Sequence, residues 1–386
     1  MLSKQKLYQT NNKSNFRYLK LSLVFSFMAI VVSVLYKGPI LSFDTAQFIE
    51  WSNLLTNNSY NFLEFFSLVD FWTPTYFYTT IILILSVLRS IFPETWQSFF
   101  LIINLSSILV ILWCFFSLRE KVTLLIWPLA IAPILFLMGD SLIWPSYILT
   151  DTYYAALTML GLTLILKNET LSSSFALFFT IALLAISRPT SPVLIIGLFL
   201  IYALLKTETY HLIYKHIKLI LLSMIILSAL LFAFIIGNTE LSSEPVEKFR
   251  LMAFAGEVIR DRPETWLLPS ERFIDLIFLF LKRFISFFQI WVTDFSLIHN
   301  IMNFLFITFF IICSLCFIFG NSKFYNQQLT KYQLALFLTI LFGSLFHSGT
   351  LIDYDWRYRY PYVAPMALFS TITLEQVILY FRSKES

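Results

Sequence analysis

An all-α, polytopic transmembrane bundle is predicted by three observations. Hydrophobic residues make up 58% of the 386-residue chain against 13% charged, the mean hydropathy is +0.76, and apolar runs of membrane-span length recur from end to end. No water-soluble composition combines these properties, because a soluble domain needs a charged surface. With 43 Phe and 19 Tyr, the packing is expected to be bulky. Only 9 Gly argue against close-packed small-residue helix dimers as the main assembly device. The chain reads as one integral membrane domain over residues 1–386.

Charge placement orients the spans. Lys4, Lys6, Lys13, Arg17 and Lys20 precede the apolar run 21–36 with no acid among them, so the first span is a signal anchor with its basic end in the cytoplasm. Arg119-Glu-Lys121, the basic segments 206–218 and 323–331, and Arg382-Ser-Lys384 are further cytoplasmic anchors. Holding these inside gives about ten spans, near 19–36, 98–118, 122–138, 149–166, 173–187, 190–205, 218–236, 298–319, 333–348 and 361–380. Segments 73–92 and 273–291 are apolar enough to cross, yet either crossing would put the following basic loops on the wrong side. Both are expected to be re-entrant or interfacial, and Lys282 and Arg283 interrupt the second at what would be its midpoint.

This topology gathers acids and arginines on one outer face. The first outer loop, 37–72, carries Asp44, Glu50 and Asp70, and Asp140 and Asp151 flank a later span junction. Arg188-Pro189 forms a turn between two spans. The outer loop 237–297, with an interfacial helix, and Asp353-Tyr-Asp-Trp-Arg-Tyr-Arg-Tyr-Pro361 complete the face. Transfer of a sugar from a phosphate-linked donor needs such a set. A carboxylate deprotonates the acceptor hydroxyl or holds a metal, and cations neutralise the departing phosphate. Arginine suits the second task because its planar fork matches phosphate oxygens and keeps its charge. Asp44 and Asp151 are the candidate catalytic carboxylates. Arg188, Arg357 and Arg359 are the candidate phosphate ligands, and Glu50, Asp70, Asp353 and Asp355 are further candidates.

The pattern resembles the polytopic glycosyltransferases of the GT-C superfamily, which includes dolichyl-phosphate mannosyltransferases and lipid A aminoarabinose transferases. The resemblance rests on Phe43-Asp-Thr-Ala-Gln-Phe-Ile49 after the first span, Trp144-Pro-Ser-Tyr-Ile-Leu-Thr-Asp-Thr-Tyr-Tyr154, Ser187-Arg-Pro-Thr190 and Arg357-Tyr-Arg-Tyr-Pro361, which together extend over most of the chain. It implies that Asp44 is the catalytic acid or base and that Asp151 orients the acceptor or binds a metal with it. It also implies a polyprenyl-phosphate sugar donor, a glycan, lipid or protein acceptor, and a divalent ion such as Mg or Mn as candidate cofactor. The aminoarabinose branch carries an acid and a Lys before the Pro of this region, where this chain has Trp72 and Thr73. A bacterial inner membrane, with the site on its outer face, is the expected location.

Each signal has a plainer counterpart. Asp44 could cap the helix that follows it, and Asp151 could complement a helix dipole from the first turn. Asp140, next to Gly139, reads as a turn residue. Arg188 could be an interfacial anchor, and the 353–360 segment an aromatic belt. Residues 239–272, with Asp261-Arg-Pro-Glu264 and Trp266, are a candidate lid. Cys114, Cys313 and Cys316 lie in apolar runs, and His299 and His347 are isolated, so neither set makes a metal site. A transporter or flippase of lipid-linked sugars would put charge near span midpoints. An O-antigen polymerase or ligase would lean on arginines in one large outer loop. No Gly-rich nucleotide loop appears, and nothing points to nucleic acid.

Overall fold

The computed structural model describes residues 2–69, 74–122, 128–167, 171–207, 210–238, 244–320 and 327–385. They form sixteen α-helices: α1 (Leu2–Lys37), α2 (Phe43–Asn57), α3 (Phe62–Leu68), α4 (Thr79–Ile91), α5 (Trp96–Val122), α6 (Ala132–Phe136), α7 (Asp151–Lys167), α8 (Leu171–Ala185), α9 (Ser191–Lys206), α10 (Tyr210–Lys215), α11 (Ile217–Gly237), α12 (Glu244–Phe254), α13 (Phe273–Ser286), α14 (Leu297–Phe319), α15 (Gln327–Thr350) and α16 (Tyr360–Glu385). Among the described residues no regular β-strand occurs. Six helical segments are long and apolar enough to cross a membrane: Phe16–Lys37, Trp96–Arg119, Ile217–Gly237, Leu297–Phe319, Leu329–Thr350 and Arg357–Arg382. The chain is therefore a multi-pass membrane protein by length and composition of its helices.

The helices at three of the other expected spans are shorter. α7, α8 and α9 have 17, 15 and 16 residues, less than the roughly 20 that a straight crossing takes. Prolines explain the fourth, 122–138. Its described part is a 3-10 turn from Pro128 followed by a five-residue helix with Pro133 in its first turn, because proline lacks the N–H that would continue a helix. The two segments expected to be interfacial are α4 and α13, of 13 and 14 residues. In α13 one face is buried, through Leu276, Leu279, Phe280 and Arg283, and it packs on α11 and α15.

Polarity sorts the long helices into centre and periphery. The spanning part of α11 has the highest hydropathy of the six, 3.0, and is 22% buried, whereas those of α15 and α16, at 1.5 and 1.4, are 83% and 78% buried. Lipid accepts an unbroken apolar surface, while hydroxyl and amide groups must find partners inside the protein. Gln333 thus donates to Thr373 Oγ1 at 2.9 Å and accepts from Gln376 between α15 and α16. α7 packs against α5, α8 and α16 and is buried on nearly every side. Glycine serves this core as a socket for large rings. A Cβ added at Gly343 would fall inside the Tyr362 ring, and one at Gly139 would meet Val363.

The end of the bundle near α7's first turn carries the loops of interest. Asn104 of α5 donates to the carbonyls of Pro145 and Tyr147 at 3.0 and 2.9 Å. Arg119 lies fifteen residues further along the same helix, or roughly 22 Å at 1.5 Å per residue. Single cysteines at positions 44 and 151, in a background without Cys114, Cys313 and Cys316, should therefore label from one side of the membrane. A cysteine at position 120 should label from the other. Labelling of 44 and 120 from the same side would contradict this arrangement.

Candidate functional site

Local chemistry sets the position of Asp44. Ser42, not Asp44, caps α2. The Ser42 hydroxyl accepts from Thr45 N–H at 3.3 Å, and Thr45 Oγ1 accepts from Ser42 N–H at 3.0 Å, so the box closes on itself. Thr45 also donates to the Ile148 carbonyl at 2.9 Å. Ile40 is bridged to the same segment, with Ile40 N–H donating to Ser146 O at 2.8 Å and Ile148 N–H to Ile40 O at 3.0 Å. These bonds fix the start of α2 beside the start of α7. α2 in turn lies on α4, where Arg89 donates to Ser52 Oγ at 2.9 Å and to Asn53 Oδ1 at 2.6 Å. Freed from capping, the Asp44 carboxylate is available to the site.

Four of the predicted residues meet in one chain of charges. Arg188, in the turn between α8 and α9, pairs through Nη1 with Asp151 Oδ1. Asp151 Oδ2 accepts from Arg357 Nε at 3.0 Å, and Arg357 Nη1 pairs with Asp44 Oδ2. The order Arg188, Asp151, Arg357, Asp44 runs from inside to outside, with side chains 4%, 1%, 13% and 38% exposed. The deep end is walled by tyrosines. The Arg188 guanidinium lies 5.6 Å from the Tyr154 ring and 5.8 Å from that of Tyr358, and Tyr154 Oη accepts from Thr190 at 2.9 Å. Arg188 Nε is buried without a protein partner.

The remaining candidates divide. Asp355 Oδ1 accepts from the Arg357 N–H at 3.0 Å, and Asp353 is buried beside it. Asp355 thereby adjoins the charge chain. Arg359 is not part of that chain. It donates to the Gln289 carbonyl at 2.9 Å and to Asn303 Oδ1, and its Nη2 lies 4.0 Å from Asp140 Oδ2. The structure thus does not bring Arg359 together with Arg188 and Arg357. Asp140 does occupy a turn, with φ of 69°, yet it also pairs with His299. Sequence reading missed that partnership because the two residues lie 159 positions apart. Glu50 is exposed on α2. Six residues from Asp44 is about 240° further round a helix, so the two carboxylates face apart. Asp70 lies outside the described residues.

A divalent ion fits this set poorly. Both oxygens of Asp151 already carry guanidinium groups and Asp44 carries one, so a cation at either acid would face like charge at contact range. Among the described residues no three His, Cys, Asp or Glu side chains gather. The arginines themselves supply the positive charge. An apolar cavity of about 230 Å³, lined by Leu204, Ile220, Met224, Leu338 and Phe342 among others, lies toward the C-terminal end of α9, remote from Arg188 at its other end.

The segment 244–272 is a fixed wall. Arg262 pairs with Glu264 at 3.1 Å and Asp294 at 3.3 Å and donates to Thr293 Oγ1 at 2.6 Å. Trp266 Nε1 donates to Ile259 O at 3.1 Å, and Arg283 of α13 donates to Glu257 O at 2.7 Å. Arg260 N–H donates to Ile352 O at 2.8 Å, which sets the wall beside Asp353. Residues 239–243 of the candidate lid lie outside the described residues.

Burial, and next the neighbouring Asp353, push the Asp355 carboxyl up from 3.8 to about 7. The folded state then holds a proton that the unfolded chain releases, so this group's stabilisation is full below pH 3.8 and is lost as pH rises to about 7. Asp355→Asn keeps the acceptor for Arg357 N–H and removes the titration. Its melting temperature should climb relative to wild type across that window. Parallel melting curves for the two proteins would show that Asp355 ionises normally.

No protein-family model matches the chain, and searches of curated proteins and of solved structures return no match.

Proposed function

We propose that the chain is a membrane glycosyltransferase of GT-C type that moves a sugar from a polyprenyl-phosphate donor to an acceptor hydroxyl at the outer face of the membrane. The observation that carries this reading is the chain of charges Arg188, Asp151, Arg357, Asp44, assembled from four distant segments and graded from buried to exposed. A buried and a partly buried arginine beside a half-exposed carboxylate are the equipment that phosphate departure and proton removal demand. In this reading the shorter apolar helices also cross, giving about ten spans, with α4 and α13 lying in the interface. The membrane is a bacterial inner membrane.

The mechanism follows from the pairing. Asp44 holds Arg357 through one oxygen and is the most exposed member. A donor phosphate entering from the mouth replaces Asp44 on the Arg357 fork, and Arg188 and Arg357 then neutralise it. Displaced, Asp44 takes the acceptor's hydroxyl proton. The acceptor oxygen forms the new bond to the anomeric carbon, and the bond from that carbon to phosphate oxygen breaks with its electron pair. Polyprenyl phosphate leaves, its added charge met by the two guanidinium groups. Asp151 is a positioning residue that holds both arginines.

Asp44→Asn tests the base. Ser42 holds the cap and Asn still accepts from Arg357, so the melting temperature should stay near that of wild type. Transfer should fall by about a hundred- to ten-thousand-fold. Wild-type transfer from this variant would place the proton acceptor elsewhere.

Arg188→Lys tests the phosphate site. Lysine keeps the charge toward Asp151 but loses the fork, and loss of one charged hydrogen bond is worth roughly a tenfold rise in donor Kd. An interfacial anchor would tolerate the change, so unaltered binding of a short-chain prenyl phosphate by Arg188→Lys and Arg188→Ala would remove Arg188 from the site.

A further inference from the structure

Beyond the four-residue chain, one cation has an anchored backbone and a half-exposed side chain whose ion-pair partner is its own neighbour in sequence. Arg260 and Arg262 lie two residues apart in the same wall, yet they are held differently. Arg262 is buried and spends its guanidinium on Thr293, Asp294 and Glu264. Arg260 is anchored through its backbone to Ile352, and its side chain is 52% exposed, with its neighbour Asp261 at 3.7 Å as its ion-pair partner. The carboxylates of Asp353 and Asp44 lie within its electrostatic reach. The main-chain bond to Ile352 sets Arg260 beside Asp353, the next residue along the chain. The exposure of the three arginine side chains rises from 4% at Arg188 through 13% at Arg357 to 52% at Arg260.

The balance of charge gives this third cation a task. Two arginines, Arg188 and Arg357, face the two acids Asp44 and Asp151. A phosphodiester brings one negative charge, and displacing Asp44 from Arg357 accommodates it. A diphosphate diester brings two, with its second phosphate on the outward side of the first. We infer that Arg260 binds the distal phosphate of a diphosphate-linked donor, so that the enzyme prefers polyprenyl-diphosphate sugars to monophosphate ones. The inference rests on the glycosyltransferase reading and names its substrate class. Arg260 is the specificity-determining residue, because the inner pair treats both donors alike.

The test is the ratio of affinities for two probes that carry one and two negative charges, the methyl diesters of farnesyl phosphate and farnesyl diphosphate, measured by calorimetry on the full-length protein in detergent micelles at fixed salt. Wild type should bind the diphosphate at least tenfold more tightly. Arg260→Gln should bring the ratio close to one, and Arg260→Lys should restore part of it, since the charge returns without the fork. The main-chain bond to Ile352 survives both changes, and melting curves check that the variants fold. A wild-type ratio near one with both probes bound would overturn the diphosphate inference and leave the glycosyltransferase reading standing. An equal loss of both affinities in Arg260→Gln would overturn it in the same way. Failure of wild type to bind either probe would overturn the donor reading and this inference with it.

Discussion

A carboxylate with 1% of its side chain exposed, at the start of an almost wholly buried helix, is the constraint around which the functional end of this protein is organised. Asp151 cannot be hydrated where it sits, and an unpaired buried charge costs several kcal/mol. Its two oxygens are met by guanidinium groups from the turn between α8 and α9 and from the segment before α16. Satisfying one acid thus brings three distant parts of the chain to one point. Asp44 joins through Arg357, which would otherwise hold more positive charge than Asp151 alone can balance. Once α7 is packed in the centre of the bundle, the meeting of these four residues is a requirement of electrostatics.

The segment 353–359 shows how one short stretch serves two purposes. Arg357 and Arg359 sit in a single 3-10 turn, where three residues complete a turn and positions two apart therefore point about 240° from each other. Arg357 faces the charge chain while Arg359 enters the protein toward Asn303, Gln289 and Asp140. Between them Tyr358 stacks on His347, with ring centroids 4.6 Å apart. Trp356 begins the turn in the left-handed region, with φ of 61°, a conformation that a bulky residue adopts only when its surroundings enforce it. The inner arginine anchors the turn that presents the outer one.

This division explains what the sequence could and could not convey. Asp44, Asp151, Arg188 and Arg357 were legible as a group because polar residues at the ends of apolar runs have few bland uses, and a shared face follows from span parity. Arg359 was placed with them because the spacing Arg-Tyr-Arg looks like a pair until the turn's geometry is known. The plainer reading of Asp44 as the cap of α2 gives way to Ser42 for a local reason. Ser42 and Thr45 close a box through two hydroxyls, without the Glu or Gln that usually advertises one. The partnership of Asp140 with His299 and the place of Arg260 beside Asp353 depend on tertiary contacts between distant segments, which leave no periodicity to read. The core carried a similar surprise. The low glycine count does not reveal that Gly343 is the hollow that admits Tyr362.

A site that neutralises itself has a consequence for its ligands. Two arginines and two aspartates in series form a closed set that is stable without substrate, so an incoming anion gains little from raw attraction and must exchange with a carboxylate already in place. Exchange is least costly where the pairing is most hydrated, because a surface ion pair is worth far less than a buried one. Among the four, that place is Asp44. In the proposed transferase the difference in exposure gives an order of events: the outermost pair opens first, the buried pair of Arg188 and Asp151 keeps its geometry, and the carboxylate set free is the one that can reach an acceptor arriving from water.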